Sequence, residues 1–191
     1  MEPHLPGIPN IQEAINFAVS IHAGSLREGA DPLPYITHPF EVLNNLRIIG
    51  KVTDLDMWCA AILHDTVESE ATSVAQIESR FGPRVASLVS ELTRREPAAD
   101  QIAGLGKKQI WKMRAQMLID EIARMSPDAQ QIKLADRLAN LSEANRSKKG
   151  DKLERYLWQT NEILKVVPKD VNRDLWDAIA TMSKSSKKED E

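Results

Sequence analysis

The sequence predicts an all-α, single-domain bundle of about eight to ten helices. Three observations support this class. Apolar residues recur with a helical period along nearly the whole chain, and no run shows the alternation typical of strands. Gly and Pro residues interrupt the pattern where helices should begin and end. The chain has 191 residues, 42% of them hydrophobic, which suffices for one domain with a core of its own.

The first half of the chain predicts five helices. The first has one apolar face, and the second is stopped by Gly50. The third is almost wholly apolar and is therefore expected at the centre. Thr72 or Ser73 caps the fourth, which ends at Gly82, and Pro83 occupies a favoured first position in the fifth. The predicted ranges are 11–22, 39–49, 54–67, 73–81 and 83–93, with a Gly- and Pro-rich loop at 24–34.

The second half predicts four more helices after a polar loop at 94–106. Their expected ranges are 107–125, 127–144, 151–167 and 169–183. The organisation expected from these patterns is an N-terminal extension at 1–10, one domain at 11–183, and a charged, flexible tail at 184–191.

Composition limits the classes of partner. The net charge of −3 gives no reason to expect a nucleic-acid or membrane partner, and no apolar run is long enough for a membrane span. The Pro-rich start lacks the apolar core of a signal peptide, so a cytoplasmic location is expected. Cys59 is the only cysteine and lies in an apolar run, which favours a buried inert thiol over a nucleophile. The sequence does not predict an oligomeric state.

Two histidines and two aspartates form a candidate metal site. His64 and Asp65 lie at the end of the apolar third helix, where a carboxylate is costly unless it is paired or metal-bound. His38 precedes Pro39 at the start of the second helix, and Asp136 lies in an apolar helix. Taken singly, these residues are explained by capping or by ion pairs, for Asp136 with an Arg. Together, they form a nitrogen and oxygen set that suits Mn²⁺, Fe²⁺ or Zn²⁺ better than Mg²⁺.

Glu68 is a candidate general base beside this site. It follows His64 by four residues and Asp65 by three, so a further helical turn would put all three on one face. Open positions on the ion would hold water and a phosphate oxygen. Glu68 could then accept a proton from the water or orient it. The alternative is a solvated acid at a helix end.

Several segments occur in an order that resembles the hydrolase domain of the Rel/Spo alarmone enzymes, especially the stand-alone small alarmone hydrolases. The similarity runs from about Ile11 to Asp177, and no synthetase domain follows. The segments that carry it are Arg27, Pro34–Pro39, Ala61–Glu68, Phe81–Ala86 and Ile132–Asn140.

The resemblance implies an HD-type helical fold with one Mn²⁺, and hydrolysis of (p)ppGpp to GDP or GTP and pyrophosphate. It assigns the metal to His38, His64, Asp65 and Asp136. It assigns catalysis to Glu68, Ser69 and Asn140. It assigns substrate contacts to Arg27, Asn140, Lys108, Lys152 and Tyr156. For the last three, an exposed helix residue is the alternative.

Three departures from the family pattern bear on the substrate. Ser69 stands where the family has Asp, Ala139 where many relatives have His, and Glu28 where many have Lys. Ser cannot act as a base near neutral pH, and an acid at position 28 would repel phosphate. Two alternatives therefore remain open. The chain could hydrolyse another nucleotide, an adenine alarmone or NADPH, or it could bind an alarmone and cleave it weakly or not at all.

Overall fold

The computed structural model describes residues 7–27, 32–68 and 71–185. Within these ranges the chain forms ten α-helices, one π-helical turn and a single β-bridge between Leu26 and Pro34. The predicted all-α class and number of helices are confirmed. The helices are α1 (Ile11–Ile21), α2 (Thr37–Asn44) with the π-helical turn Asn45–Ile49, α3 (Leu55–Leu63), α4 (Val74–Phe81), α5 (Pro83–Leu92), α6 (Ala99–Ile102), α7 (Lys107–Arg124), α8 (Pro127–Ser147), α9 (Asp151–Val166) and α10 (Arg173–Ser185).

Side-chain caps fix the starts of α1, α3, α4 and α8. Asn10 and Asp54 each accept a hydrogen bond from a backbone N–H in the first turn of the helix that follows. Ser73, rather than Thr72, caps α4 and forms a capping box with Gln76. Ser126 caps α8. Short polar side chains thus satisfy donors that the helices cannot satisfy themselves.

The third helix is shorter than its sequence predicts. It ends at Leu63, and residues 64–68 form turns. The backbone N–H and the hydroxyl of Thr66 both donate to the carbonyl of Leu63, and His64 Nδ1 lies 2.8 Å from the carbonyl of Ala61. These bonds occupy carbonyls that a continuing helix would use. His64, Asp65 and Glu68 therefore share a turn and not a helix face.

Other helix boundaries also differ from the predicted ones. The second helix begins two residues early, at Thr37, and its last turn is π-helical. The loop predicted at 94–106 contains the short helix α6, and the last helix begins at Arg173 instead of Lys169. The division into 1–10, 11–183 and 184–191 stays a prediction, and residues 186–191 lie outside the described part of the chain.

The centre of the bundle is α3 with α8. Both helices contribute long runs of buried residues, and α2, α3 and α8 pack against one another. Four further helices cover them, α1 and α5 on α3, and α9 and α10 on α8, while α7 packs on α9. Cys59 of α3 is fully buried, and burial raises the pKa of its thiol to about 12, as expected of an inert thiol. Among the described helices, none is both long and apolar enough to cross a bilayer.

Gly82 joins α4 to α5 in a backbone conformation that only glycine adopts readily, with φ of 90° and ψ of 167°. An added Cβ would lie 2.7 Å from the carbonyl oxygen of Gly7. We expect Gly82→Ala to lower the free energy of unfolding by about 2–4 kcal/mol, measured by urea denaturation. Gly104 is the matched control, because it also has a positive φ but its Cβ would enter open space. Gly104→Ala should cost about 1 kcal/mol, and equal losses would contradict the steric argument.

Candidate active site

Three elements bring the four predicted metal ligands together. His38 lies in the first turn of α2, His64 and Asp65 follow the last residue of α3, and Asp136 lies in the middle of α8. His38, His64 and Asp136 are buried, and Asp65 is nearly so. Because α2, α3 and α8 pack against one another, residues almost one hundred positions apart meet in the interior.

The distances among these side chains are those of groups that could share one ion. His38 Nε2 lies 3.3 Å from Asp136 Oδ1 and 3.7 Å from Asp65 Oδ2. His64 Nε2 lies 2.9 Å from Asp65 Oδ1 and 3.9 Å from Asp136 Oδ1. Ligand atoms of His38, His64 and Asp65 all lie within 4.8 Å of one another. The four predicted ligands therefore form one cluster.

The charge state of His64 indicates whether this cluster favours a bound cation. Its Nδ1 lies 2.8 Å from the carbonyl of Ala61, so Nδ1 carries the ring proton of the neutral imidazole. Nε2 then points a lone pair toward the carboxylates, and it has no hydrogen-bond partner among the described residues. Burial disfavours a charged ring, but Asp65 and Asp136 outweigh burial and raise the pKa of His64 to about 9. The cluster thus favours a positive charge between its donors, and a divalent ion meets that requirement.

Neighbouring groups fix the two carboxylates. The hydroxyl of Tyr35 donates to Asp65 Oδ2 at 2.5 Å, and the side-chain amide of Asn140 donates to Asp136 Oδ1 at 2.5 Å. Burial alone would raise the pKa of Asp136, but Lys133 and the imidazoles hold that pKa well below its ordinary value. Both acids are therefore charged and oriented by hydrogen bonds from their surroundings.

Lys133 was missed by the sequence analysis. Its Nζ lies 2.8 Å from Asp136 Oδ2, so the ion-pair partner of Asp136 is a Lys and not the Arg considered as the alternative. The signal was present, because Lys133 precedes Asp136 by three residues on one helix. The adjacent Arg137 bonds instead to Thr160, Gln159 and the backbone of Tyr156, so it ties α8 to α9.

Glu68 lies at the end of the turn that follows α3, and Asp65 and Glu68 border the same cavity. Its Oε1 accepts a hydrogen bond of 2.8 Å from the backbone N–H of Arg94. Partial removal from water and repulsion by Asp65 raise its pKa above the ordinary value for a glutamate. Ser69 and Glu28, the departures next to Glu68 and Arg27, lie outside the described residues.

A cavity of about 300 Å³, here called the metal cavity, is lined by three of the four candidate ligands, His38, Asp65 and Asp136, and by Glu68. Three cationic side chains, Arg94, Lys133 and Arg137, line it alongside the carboxylates. Its volume is at the lower end of the range of small-molecule sites. The cavity therefore combines a cation-binding cluster with fixed positive charge, as recognition of a phosphate requires. The full lining is Tyr35, His38, Asp65, Glu68, Arg94, Leu118, Lys133, Asp136, Arg137, Asn140, Tyr156, Gln159 and Ile163.

A second cavity of about 260 Å³ adjoins the first and is called the nucleoside cavity below. Arg27 lines it, and the Arg27 guanidinium bonds to Glu41 at 2.9 Å and to Glu143. Tyr156 faces both cavities, with the guanidinium of Arg137 4.0 Å from its ring centre. The full lining is Arg27, Tyr35, His38, Asn140, Glu143, Ala144, Lys148 and Tyr156.

The predicted substrate contacts divide into two groups. Arg27, Asn140 and Tyr156 line the nucleoside cavity. Lys108 and Lys152 are exposed in the first turns of α7 and α9 and line neither cavity. The nucleoside cavity instead has Lys148, which follows the last residue of α8 and was not predicted.

Comparison with known proteins gives consistent matches. The model of the HD domain family matches residues 14–164. The human guanosine-3′,5′-bis(diphosphate) 3′-pyrophosphohydrolase MESH1 is 35% identical over 135 residues, which are 70% of this chain and 69% of the human protein. The Xenopus tropicalis protein of the same name is 36% identical over 137 residues, 71% of this chain and 70% of that one.

A solved structure is similar over nearly the whole chain. It is described as a metazoan ortholog of SpoT that hydrolyses ppGpp and plays a role in starvation responses. The two chains are 26% identical with a TM-score of 0.79, and the match covers 92% of this chain and 94% of the other. The predicted helical HD fold is thereby confirmed.

Asp136 offers a direct test of the metal cluster. We expect Asp136→Ala to lower Mn²⁺ affinity by more than the ~10–100-fold typical of losing a partner outside the ligand set, because it removes a donor and leaves Lys133 unpaired. Asp128→Ala is the matched control, since Asp128 lies on the same helix but is exposed and pairs with Arg84. Metal per protein is measured by plasma mass spectrometry after dialysis. Full metal content in folded Asp136→Ala protein would contradict the assignment.

Proposed function

We propose a function from the premise that this chain belongs to the HD domain family and, within it, to the small alarmone hydrolases. The proposed activity is that of a metal-dependent 3′-pyrophosphohydrolase acting on guanosine 3′,5′-bis(diphosphate). The products are GDP and pyrophosphate, or GTP and pyrophosphate from the pentaphosphate. One observation carries the proposal. The cluster of two imidazoles and two carboxylates borders, through His38, Asp65 and Asp136, a cavity with three cationic side chains, and this cavity continues into the one that contains Arg27 and Tyr156.

The proposed ligands of the divalent ion are His38, His64, Asp65 and Asp136. Manganese is the proposed metal because the donor set mixes nitrogen and oxygen. When bound, such an ion supplies Lewis acidity that lowers the pKa of water and offsets phosphate charge. Tyr35, Lys133 and Asn140 hold the two carboxylates in place through the hydrogen bonds and the ion pair described above.

Glu68 is the proposed general base. Its raised pKa makes it a better proton acceptor than a glutamate of ordinary pKa, while the bond from the Arg94 N–H holds one oxygen and leaves the other available. Water attacks the phosphorus next to the sugar, the bond from that phosphorus to O3′ breaks, and O3′ gains a proton. Lys133 and Arg94 provide positive charge for the diphosphate, which is transferred to the water as O3′ leaves.

The nucleoside end of the substrate is proposed to occupy the nucleoside cavity. The two carboxylates of Glu41 and Glu143 fix the Arg27 guanidinium, which leaves its planar face free to stack on a base. Asn140 borders both cavities, so it lies between the proposed positions of the ribose and the reacting phosphate. The cytoplasmic location expected from the sequence stays a prediction.

A panel of nucleotides with Mn²⁺ tests this function. The guanosine tetraphosphate should yield one pyrophosphate per GDP, because cleavage at the 3′ oxygen releases both phosphates together. Adenine alarmones and NADPH form the other arms, and pyrophosphate and orthophosphate are assayed separately. Orthophosphate alone, or turnover of NADPH but not the guanosine compound, would support the other-nucleotide alternative. Tight binding without turnover would support a binding protein.

Glu68→Gln tests the general base. We expect kcat to fall by about 10²–10⁴, because the amide keeps the shape of the side chain but cannot accept the proton. Metal content should stay unchanged, since Glu68 is not one of the proposed ligands. Glu162→Gln is the control, as Glu162 pairs with Lys165 on the surface of α9 and lines neither the metal cavity nor the nucleoside cavity. A wild-type kcat in Glu68→Gln would exclude the role.

A further inference from the structure

A third cavity, called the side cavity, has a volume of about 240 Å³ and is lined by His22, Ser25, Tyr35, Asp65 and Glu68. It shares Tyr35, Asp65 and Glu68 with the metal cavity. Among the described residues, Tyr35 is the only one that lines both the side cavity and the nucleoside cavity. The metal cavity therefore borders the nucleoside cavity on one side and the side cavity on another.

His22 brings an unsatisfied polar atom to this cavity. It follows the last residue of α1, its ring is 8% exposed, and it packs on Tyr35 with ring centres 4.8 Å apart. Its Nε2 is buried and has no hydrogen-bond partner among the described residues. Leaving such an atom unpaired costs about 1–3 kcal/mol, so a buried polar atom that borders a cavity indicates an ordered ligand or water.

The residues that line the side cavity favour water as that ligand. The carboxylates of Asp65 and Glu68 repel an anion. Burial lowers the pKa of His22 despite the opposing effect of Asp65, so the ring is neutral near neutral pH and suits an uncharged partner. The cavity has several polar groups and room for more than one water at about 30 Å³ each. Ser25 is exposed and forms its outer edge.

We propose that the side cavity is a solvent site in which His22 Nε2 holds an ordered water, and that this water is part of the supply of water to Glu68 during turnover. The inference rests on the proposed hydrolytic function. Hydrolysis consumes one water in each cycle, and a nucleotide that fills the metal and nucleoside cavities blocks those routes. The side cavity still connects Ser25 at the surface to Glu68. His22 is accordingly a positioning residue that acts through water.

A matched set of substitutions tests the position of the polar atom. The amide of His22→Gln falls near the position of Nε2, that of His22→Asn falls near Nδ1, and His22→Leu has none. We expect kcat to fall about 10-fold or more in the Asn and Leu variants, as for other groups that act through a partner. KM and bound Mn²⁺ should not change. His22→Gln should keep most of the activity.

A packing role would give a different pattern. Asn and Gln would then be impaired together, and the losses would follow thermal stability instead of the position of the amide. Unchanged kcat in all three variants, or equal loss in the Gln and Leu variants, would overturn the proposal.

A crystal structure of the manganese-loaded wild-type protein at high resolution tests the site without any substrate. A water at about 2.7–3.2 Å from His22 Nε2 is expected. A dry cavity, or a cation in place of water, would overturn the proposal even if the variants failed to fold. If the guanosine compound is not hydrolysed, the proposed function fails, while this structure still decides whether His22 holds water.

Discussion

Two buried carboxylates face the same two imidazoles, and this concentration of charge is the constraint on which the rest of the site depends. Asp65 and Asp136 cannot stay ionised in the interior without positive charge and hydrogen-bond donors around them. Lys133 supplies a charge to Asp136, while Tyr35 and Asn140 donate to the two acids. The surrounding residues thus stabilise two charged acids side by side, and such an arrangement suits a divalent cation.

The scaffold meets this constraint by ending α3 at the site. The turn at 64–68 brings His64 Nε2 within 3.9 Å of Asp136 in α8 and Asp65 Oδ2 within 3.7 Å of His38 in α2. Two side chains, those of His64 and Thr66, bond to the final carbonyls of α3 and hold the turn. The same residues therefore end a helix and build the site.

The three cavities lie next to one another, with the metal cavity adjoining the other two. The nucleoside cavity with Arg27 lies on one side of the metal cavity, and the side cavity with His22 borders it through Tyr35, Asp65 and Glu68. Tyr35 lines all three, while its hydroxyl bonds to Asp65 and its ring packs on His22. On the proposed function, substrate and water reach the reacting phosphate by separate routes, which lets the nucleotide bind tightly without excluding the water it needs.

The sequence alone determined the helical class and a cap at Thr72 or Ser73, and it predicted the set of His38, His64, Asp65 and Asp136, because these follow from local periodicity and from residue type and order. Only the tertiary structure decided how the set is held. Arg27 pairs with Glu143, 116 residues away, while the exposed Lys108 and Lys152 lie outside the cavities that Lys133 and Lys148 line. The physical reason is that periodicity fixes which face of a helix is buried, whereas the packing of α2, α3, α8 and α9 fixes which side chains meet.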